Sequence, residues 1–308
     1  NLINKLVTID HITLVRKILK QTISKPDLIG FHGQTIYHSF KKKLSIQLGD
    51  PQFLSNITKL PVISKFRQKD IENGGHGAPL SPIYHMAMAK EMNLQTPIAF
   101  VNIGGVSNLT YFDNKQLIGF DTGPGNGLMD FFIQRKINKP YDKDGILASK
   151  GKINFEILKA LKSNIYFKKN FPKSLDKLYF LNELNSFFTK NYLIEDILAT
   201  LLEFTVSTIS NSLYLLPKKP NQIIFLGGGQ FNSLLVEKLK EHTKSKVYLS
   251  SDFNLHGQYI EAELFAYLSA RINNNLPTTF PSTTGVKKPI CGGIIFTPEH
   301  YINAPTTF

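Results

Sequence analysis

Short apolar runs that end in glycine or aspartate alternate along the chain with longer stretches of helical spacing, the pattern of an α/β protein. Strands are predicted at residues 27–31, 44–48, 61–64, 98–102, 108–112, 116–120, 222–226 and 246–249. Most are continuous apolar runs, as strands buried on both faces are. The clearest helix spans 194–216. Its Ile194, Ile197, Leu198, Leu201, Leu202, Thr205, Ile209, Leu213 and Leu216 recur near i, i+3, i+4 spacing, and Pro217 stops it. That stripe reads as core. A further helix runs from about Gln258 to Ile272, with Ile260, Leu264, Phe265 and Leu268 on one face. Between Lys139 and Phe188 the pattern is irregular and is broken by Gly145, Gly151 and Pro172. No internal repeat or low-complexity linker is visible.

At 308 residues the chain is longer than one hydrophobic core usually supports, so two lobes are expected, and 42% hydrophobic content suffices to bury both. No run approaches the roughly 18 consecutive apolar residues of a membrane span. The opening NLINKLVTIDHITL has no basic region, apolar stretch and small-residue cleavage site in series, so the expected compartment is the cytoplasm. Cys291 is the single cysteine, which excludes an intrachain disulfide and a cysteine-based zinc cluster. Lysine and arginine outnumber the acids by 36 to 23, and the net charge of +13 would attract nucleotides, acidic sugars or nucleic acid. The lysines are scattered, however, with Lys41 to Lys43 the densest run, and no aromatic residues interleave with them in a nucleic-acid-binding pattern. No nucleic-acid partner is therefore expected.

Five turns rich in glycine and polar residues carry the candidate chemistry, and most follow an apolar strand directly. The carboxyl ends of strands and the N-termini of helices offer unpaired backbone N–H groups, which is where α/β proteins hold ligands. The turns are GFHGQT (30–35), KFRQKDIENGGHGAPLSP (65–82), NIGGVSNLT (102–110), GFDTGPGNGLMD (119–130) and LGGGQFN (226–232). In the third, Gly104 and Gly105 separate two strand-like halves, and a hairpin of that kind can press its backbone against a phosphate. In the fourth, Asp121 ends an apolar strand before Gly123, Pro124, Gly125 and Gly127 turn the chain into a helix. A carboxylate there suits a general base that holds water or a hydroxyl in line with an electrophile. An aspartate that caps the turn through its own backbone fits the same residues. In the fifth, three consecutive glycines let a ring or phosphate lie on the backbone. The P-loop form GxxxxGK[ST], a GxGxxG with its acidic partner, zinc-type histidine spacing and GxSxG are all absent. His32, His38 and His76 lie in polar turns, where a loop hydrogen bond is the commoner role of a histidine.

Taken in order, these turns resemble the signature blocks of the anhydro-N-acetylmuramic acid kinases: GFHGQTIYH, QLGDP, FRQKDIENGGHGAPLSP, NIGGVSNLT, GFDTGPGNGLMD, YDKDGILASKG, LGGGQFN, YIEAELFAYLSAR and TTGVKKPICGG. They span nearly the whole chain. Departures from the family pattern are Phe31 for Ser, Glu72 and Asn73 for small residues, His76 for Gln, and Leu175-Asp176-Lys177-Leu178 where the family has Thr-Gly-Arg-Glu. The resemblance implies the two-lobed actin-like ATPase (ribonuclease H-like) fold, with ATP and sugar in a cleft between lobes. The expected division is an N-terminal lobe over 1–94, a C-terminal lobe over 95–256, and a tail over 257–308 returning to the first.

The same resemblance implies a cytoplasmic kinase of peptidoglycan recycling. With ATP and Mg2+, it would convert 1,6-anhydro-N-acetylmuramic acid and water to N-acetylmuramic acid 6-phosphate. On this mapping Asp121 activates the water and Glu261 is a second carboxylate beside it. Arg67, Asp70, His32 and Gln34 are carried over to the sugar, Asn102, Gly104 and Gly105 to the phosphates, and Gly123, Gly125 and Asn126 to the nucleotide. Gly227, Gly228, Gly229 and Asn232 are carried over to the adenosine, the magnesium ligands stay unassigned, and a homodimer is implied. Members of the family begin with a strand running into a Gly-Thr-Ser-Leu-Asp-Gly turn, and nothing like it precedes Asp27. The N-terminal lobe is accordingly expected to be incomplete, in a truncated sequence or a shortened protein. The alternative is a non-catalytic sugar- or nucleotide-binding member of the same fold.

Overall fold

A computed structural model describes residues 2–176, 179–188, 191–243, 245–255 and 259–299. In chain order the strands are β1 (Ile29–Gly30), β2 (Gln34–Ser39), β3 (Leu44–Leu48), β4 (Val62–Ser64), β5 (Ile98–Ile103), β6 (Val106–Phe112), β7 (Leu117–Pro124), β8 (Gln222–Leu226), β9 (Lys246–Leu249) and β10 (Ile294–Phe296). The helices are α1 (Leu2–Leu19), α2 (Pro51–Thr58), α3 (Gln68–Glu72), α4 (Pro82–Glu91), α5 (Gly127–Ile137), α6 (Phe155–Lys162), α7 (Leu181–Phe187), α8 (Ile194–Leu213), α9 (Ser233–His242), α10 (Ile260–Asn273) and α11 (Pro281–Thr284). They form two units. One comprises Asn1–Gly77, Glu261–Phe280 and Val286–Phe308, and the other Ala78–Ile260 with Pro281–Gly285.

The second unit is built on a five-stranded sheet of order β7-β6-β5-β8-β9. Strands β5, β8 and β9 are parallel, β6 runs against β5, and β7 runs against β6. The carboxyl ends of β5, β7, β8 and β9 therefore share one edge. Side chains alternate across the sheet as the strand period requires. Ala99, Val101, Ile103, Ile223 and Phe225 join the large core with α5, α6 and α8. Ile98, Phe100, Ile224 and Leu226 face the other way onto Met88 and Ala89 of α4. Helix α4, which the sequence places in the first lobe, packs instead on β6 and β7 in this unit. Helix α8 is buried around most of its circumference, from Ile197 through Ser212, as befits a helix that packs on several neighbours at once. It ends at Leu213 rather than 216. The amides of Tyr214, Leu215 and Leu216 bond three residues back, and Leu216 precedes a proline, which disfavours the α conformation.

The first unit holds a three-stranded sheet, β1-β4-β10, and a separate β2-β3 hairpin. Neither β2 nor β10 is predicted from the sequence. Strand β2 carries polar residues and a bulge between Thr35 and Tyr37, and β10 is a three-residue strand that exists through its antiparallel pairing with β4. Helix α2 shows how local chemistry sets an element. The Asp50 carboxylate accepts the Phe53 N–H, Pro51 opens the first turn, and Lys59 closes the helix in a left-handed conformation. Ile12, Phe31, Leu54 and Val62 form the small core of this unit.

The irregular stretch from Lys139 to Phe188 contains α6, α7 and several short 3-10 turns. Asp142 organises one of these, its two carboxylate oxygens accepting the Leu147 and Ala148 amides at 2.9 Å each. No helix among the described residues is long and apolar enough to cross a membrane. Phe204 of α8 is fully buried with its ring edge-on to Phe167 and Phe180. Truncation to alanine removes those contacts and leaves a cavity, so Phe204→Ala is expected to cost about 3–5 kcal/mol in chemical denaturation of the full chain.

Candidate active site

At the shared edge of the large sheet, the turn joining β5 to β6 lies against the loop joining β7 to α5. Gly125 N–H and Gly127 N–H donate to Gly105 O at 3.1 and 3.2 Å, and Asn126 N–H donates to Gly104 O at 2.7 Å. A side chain at Gly125 would meet the Gly104 carbonyl, so two backbones approach here as only glycine allows. Threonines of α8 support the loop from below. Thr205 Oγ1 donates to Gly125 O at 3.1 Å, and the Cα of Gly123 faces Thr208. A side chain at Gly104 would lie in ordinary contact with the Val106 carbonyl, at 3.5 Å. Around this apposition Ser107 Oγ, Asn108 Oδ1 and Asn126 Oδ1 are buried without a hydrogen-bond partner among the described residues. Buried oxygens of that kind are normally satisfied, by protein, water or ligand.

The LGGGQFN turn flanks the other side of the hairpin. Gly227 has φ +77°, and a side chain there would collide with Asn102 Oδ1 and the Ile103 carbonyl. Gly229 is buried over Ile103, while Gly228 faces open space. Asn232 caps α9, its Oδ1 accepting the Leu235 N–H at 3.1 Å. Beside the turn is a pocket of about 450 Å³ lined by Gln230, Phe231, Ser233, Val236, Lys240 and Leu249 among others. Phe231 is 61% exposed at its rim.

Asp121 lies within β7, which continues to Pro124 rather than ending at 120 because β6 pairs with it across a bulge at Ser107 and Asn108. The residue is 7% exposed. One carboxylate oxygen, Oδ2, accepts the Leu175 N–H at 2.8 Å, so the group reaches a distant segment instead of capping its own turn through that atom. Its N–H donates to Lys173 O at 2.9 Å, and its carbonyl accepts from the Tyr166 hydroxyl at 2.6 Å. Burial, and then the Asp121 charge, push the Tyr166 phenol far up and keep it a neutral donor.

The first unit gathers His32, Arg67 and Asp70. Arg67 Nε donates to His32 Nε2 at 3.1 Å and Nη1 to Gly77 O at 2.8 Å. His32 Nδ1 lies 3.0 Å from Gly33 O, so both ring nitrogens are engaged within the protein, and the ring stacks on Phe265. Burial, followed by the Arg67 charge, lowers the His32 pKa to about 3, which agrees with a neutral ring accepting from the guanidinium. Asp70 is fully buried and accepts the Gly77 N–H at 2.7 Å, holding the loop that supplies Arg67 its carbonyl partner. Gln34 opens β2 with its side chain exposed, and Glu261 is exposed in the first turn of α10.

The anhydro-N-acetylmuramic acid kinase family matches residues 4–298. The chain belongs to that family. It is 40% identical to the anhydro-N-acetylmuramic acid kinase of Zymomonas mobilis over 302 residues, which cover 96% of this chain and 80% of the relative. With the kinase of the same name from Rhodopseudomonas palustris it shares 39% identity over 297 residues, covering 95% of this chain and 80% of that one. Among solved structures, the activator of the 2-hydroxyisocaproyl-CoA dehydratase from Clostridium difficile with bound ADPNP covers 59% of this chain and 63% of its own. At 15% identity and a TM-score of 0.36, that likeness carries no argument.

In this anhydro-N-acetylmuramic acid kinase family member, Tyr166, Lys173, Thr205 and Thr208 are site-supporting residues that sequence reasoning passes over. The threonines carried a signal, as polar residues within a buried stripe of α8. Tyr166 and Lys173 lie in the irregular stretch and carried none. Two outcomes follow from the geometry. Gly125→Ala, pressed onto the Gly104 carbonyl, is expected to lower stability by about 1–3 kcal/mol, whereas Gly228→Ala stays within about 0.5 kcal/mol of the parent by thermal denaturation. The depressed His32 pKa makes its contribution to stability complete above the unfolded value of 6.5 and lost as pH falls toward about 3. His32→Asn should flatten that part of the stability curve in denaturation followed across pH.

Proposed function

We propose that the chain is an ATP-dependent kinase that opens 1,6-anhydro-N-acetylmuramic acid with water and phosphorylates the released oxygen, giving N-acetylmuramic acid 6-phosphate and ADP. The observation that carries this reading is Asp121, held by three separate hydrogen bonds at the sheet edge where the glycine turns of a family-matched kinase converge. Asp121 takes a proton from water as the water oxygen bonds to the anomeric carbon. The bond from that carbon to O6 breaks on the opposite face, with inversion, and O6 bonds to the γ-phosphorus as ADP leaves. Glu261 is the second carboxylate of this scheme.

The residues present fit a nucleotide. Gly228 has an open face against which phosphate or base can lie, and the aromatic rim of Phe231 adds a surface for a planar ring. The unpaired oxygens of Asn108 and Asn126 are hard donors of the type magnesium prefers, and magnesium, when bound, neutralises the charge of the phosphates. Asn232, occupied as a helix cap, contributes by holding the turn. On the sugar side Arg67 offers a guanidinium suited to the lactyl carboxylate. His32 then acts through Arg67 rather than on the sugar, and Asp70 through the loop at Gly77. A cytoplasmic location and a homodimer complete the reading, and the latter is open to sedimentation analysis.

The alternative reading is a sugar- or nucleotide-binding member of the same fold without turnover. An ADP-release assay with anhydro-N-acetylmuramic acid and ATP separates the two. Turnover that Asp121→Asn reduces by about 10²- to 10⁴-fold supports the kinase. Thermal stabilisation by the sugar with no ADP released would replace it with the binder. Gly228→Ala, neutral for folding, should raise the KM for ATP by several-fold while leaving that for the sugar unchanged.

A further inference from the structure

We infer that segment 172–175, with the Lys173 ammonium group, is a positioning device for the Asp121 carboxylate, an inference that rests on reading Asp121 as the base. Strand β7 stands at the edge of its sheet, where outward N–H and C=O groups lack a neighbouring strand. At residue 121 the segment takes that place. Lys173 O accepts the Asp121 N–H, Leu175 N–H donates to Oδ2, and Tyr166 closes the arrangement through the Asp121 carbonyl. The carboxylate is thus fixed at the backbone and at one of its oxygens.

The side chain of Lys173 supplies the charge. It is 4% exposed, and a cation so buried requires compensation from anions or aromatic faces. Its Nζ lies 4.9 Å from the centre of the Tyr166 ring and 5.8 Å from that of Phe120. The charged and titratable groups acting around it are Asp121, Lys169, Tyr166 and Tyr179. Burial lowers the ammonium pKa, Asp121 opposes that, and Lys169 adds to it. Reciprocally, the charge of Lys173, which Asp121 feels as Lys173 feels Asp121, favours the ionised carboxylate, the form that can accept a proton from water. Lys173 touches no reacting atom in this scheme. It acts through Asp121.

The test measures kcat, KM and the pH profile of ADP release by the full chain with ATP and anhydro-N-acetylmuramic acid. Lys173→Met should lower kcat about 10²-fold with both KM values within about twofold, and should move the acidic limb of the profile to higher pH, because the carboxylate then holds its proton more tightly. Lys173→Arg, which keeps the charge, should restore the position of that limb. In an Asp121→Asn background Lys173→Met should cost nothing further. Wild-type kcat and acidic limb in Lys173→Met, with Asp121→Asn inactive, would overturn the inference and leave the base in place. An Asp121→Asn chain with full turnover would overturn both. Should Lys173→Met fail to fold, Tyr166→Phe decides, since it deletes one oxygen and leaves the cation. A several-fold fall in kcat with an unmoved acidic limb supports the device, and an unchanged kcat overturns it.

Discussion

The backbone of the loop after β7 rests directly on the backbone of the β5-β6 turn, and much of the candidate site depends on that contact. Three amide donors cross it, from Gly125, Asn126 and Gly127 to the carbonyls of Gly104 and Gly105. Such hydrogen bonds need the two chains closer than a Cβ permits, which is why glycine recurs on both sides. The apposition starts α5 at Gly127 and buries the side-chain oxygen of Asn126. On its other flank Gly227 makes the same close approach to Asn102 and Ile103. Three stretches separated in the chain thus become one surface because their glycines interlock.

In each unit charge is held with little freedom to move. Asp121 and Lys173 are both buried, and each is tied by backbone or aromatic partners as well as by the other's field. In the first unit Arg67 is held between a histidine ring and a carbonyl, while the buried Asp70 shapes the loop that presents the carbonyl. Burying ionised groups is costly unless they are paired and hydrogen-bonded, so their presence here weighs toward function and away from stability. His32 illustrates the division of labour. Held neutral by burial and by its guanidinium neighbour, it is an acceptor that steers Arg67.

Much of the fold was readable in the residues. Continuous apolar runs located the five strands of the large sheet, and the 3.6-residue period located α8, because burial on both faces of a sheet or along a helix imposes patterns that neighbouring residues display by themselves. Strands β2 and β10 escaped, since a polar hairpin arm and a three-residue edge strand acquire their identity from pairing. The end of α8 was placed late for the opposite reason. Apolar spacing continues to Leu216, but the proline at 217 reshapes the backbone before it.

For the site, glycine and aspartate at strand ends marked the turns, and their order along the chain carried the family. What the residues could not declare was the company they keep. Lys173 and Tyr166 sit in a stretch without periodicity, and only the folding of that stretch onto the edge of β7 brings them to Asp121. Local sequence determined which segments form strands, helices and tight turns, because those choices depend on near neighbours. Tertiary structure decided which turns meet, which carboxylate is held by a remote amide and which histidine serves an arginine, because these contacts join residues far apart in the chain that share no local pattern.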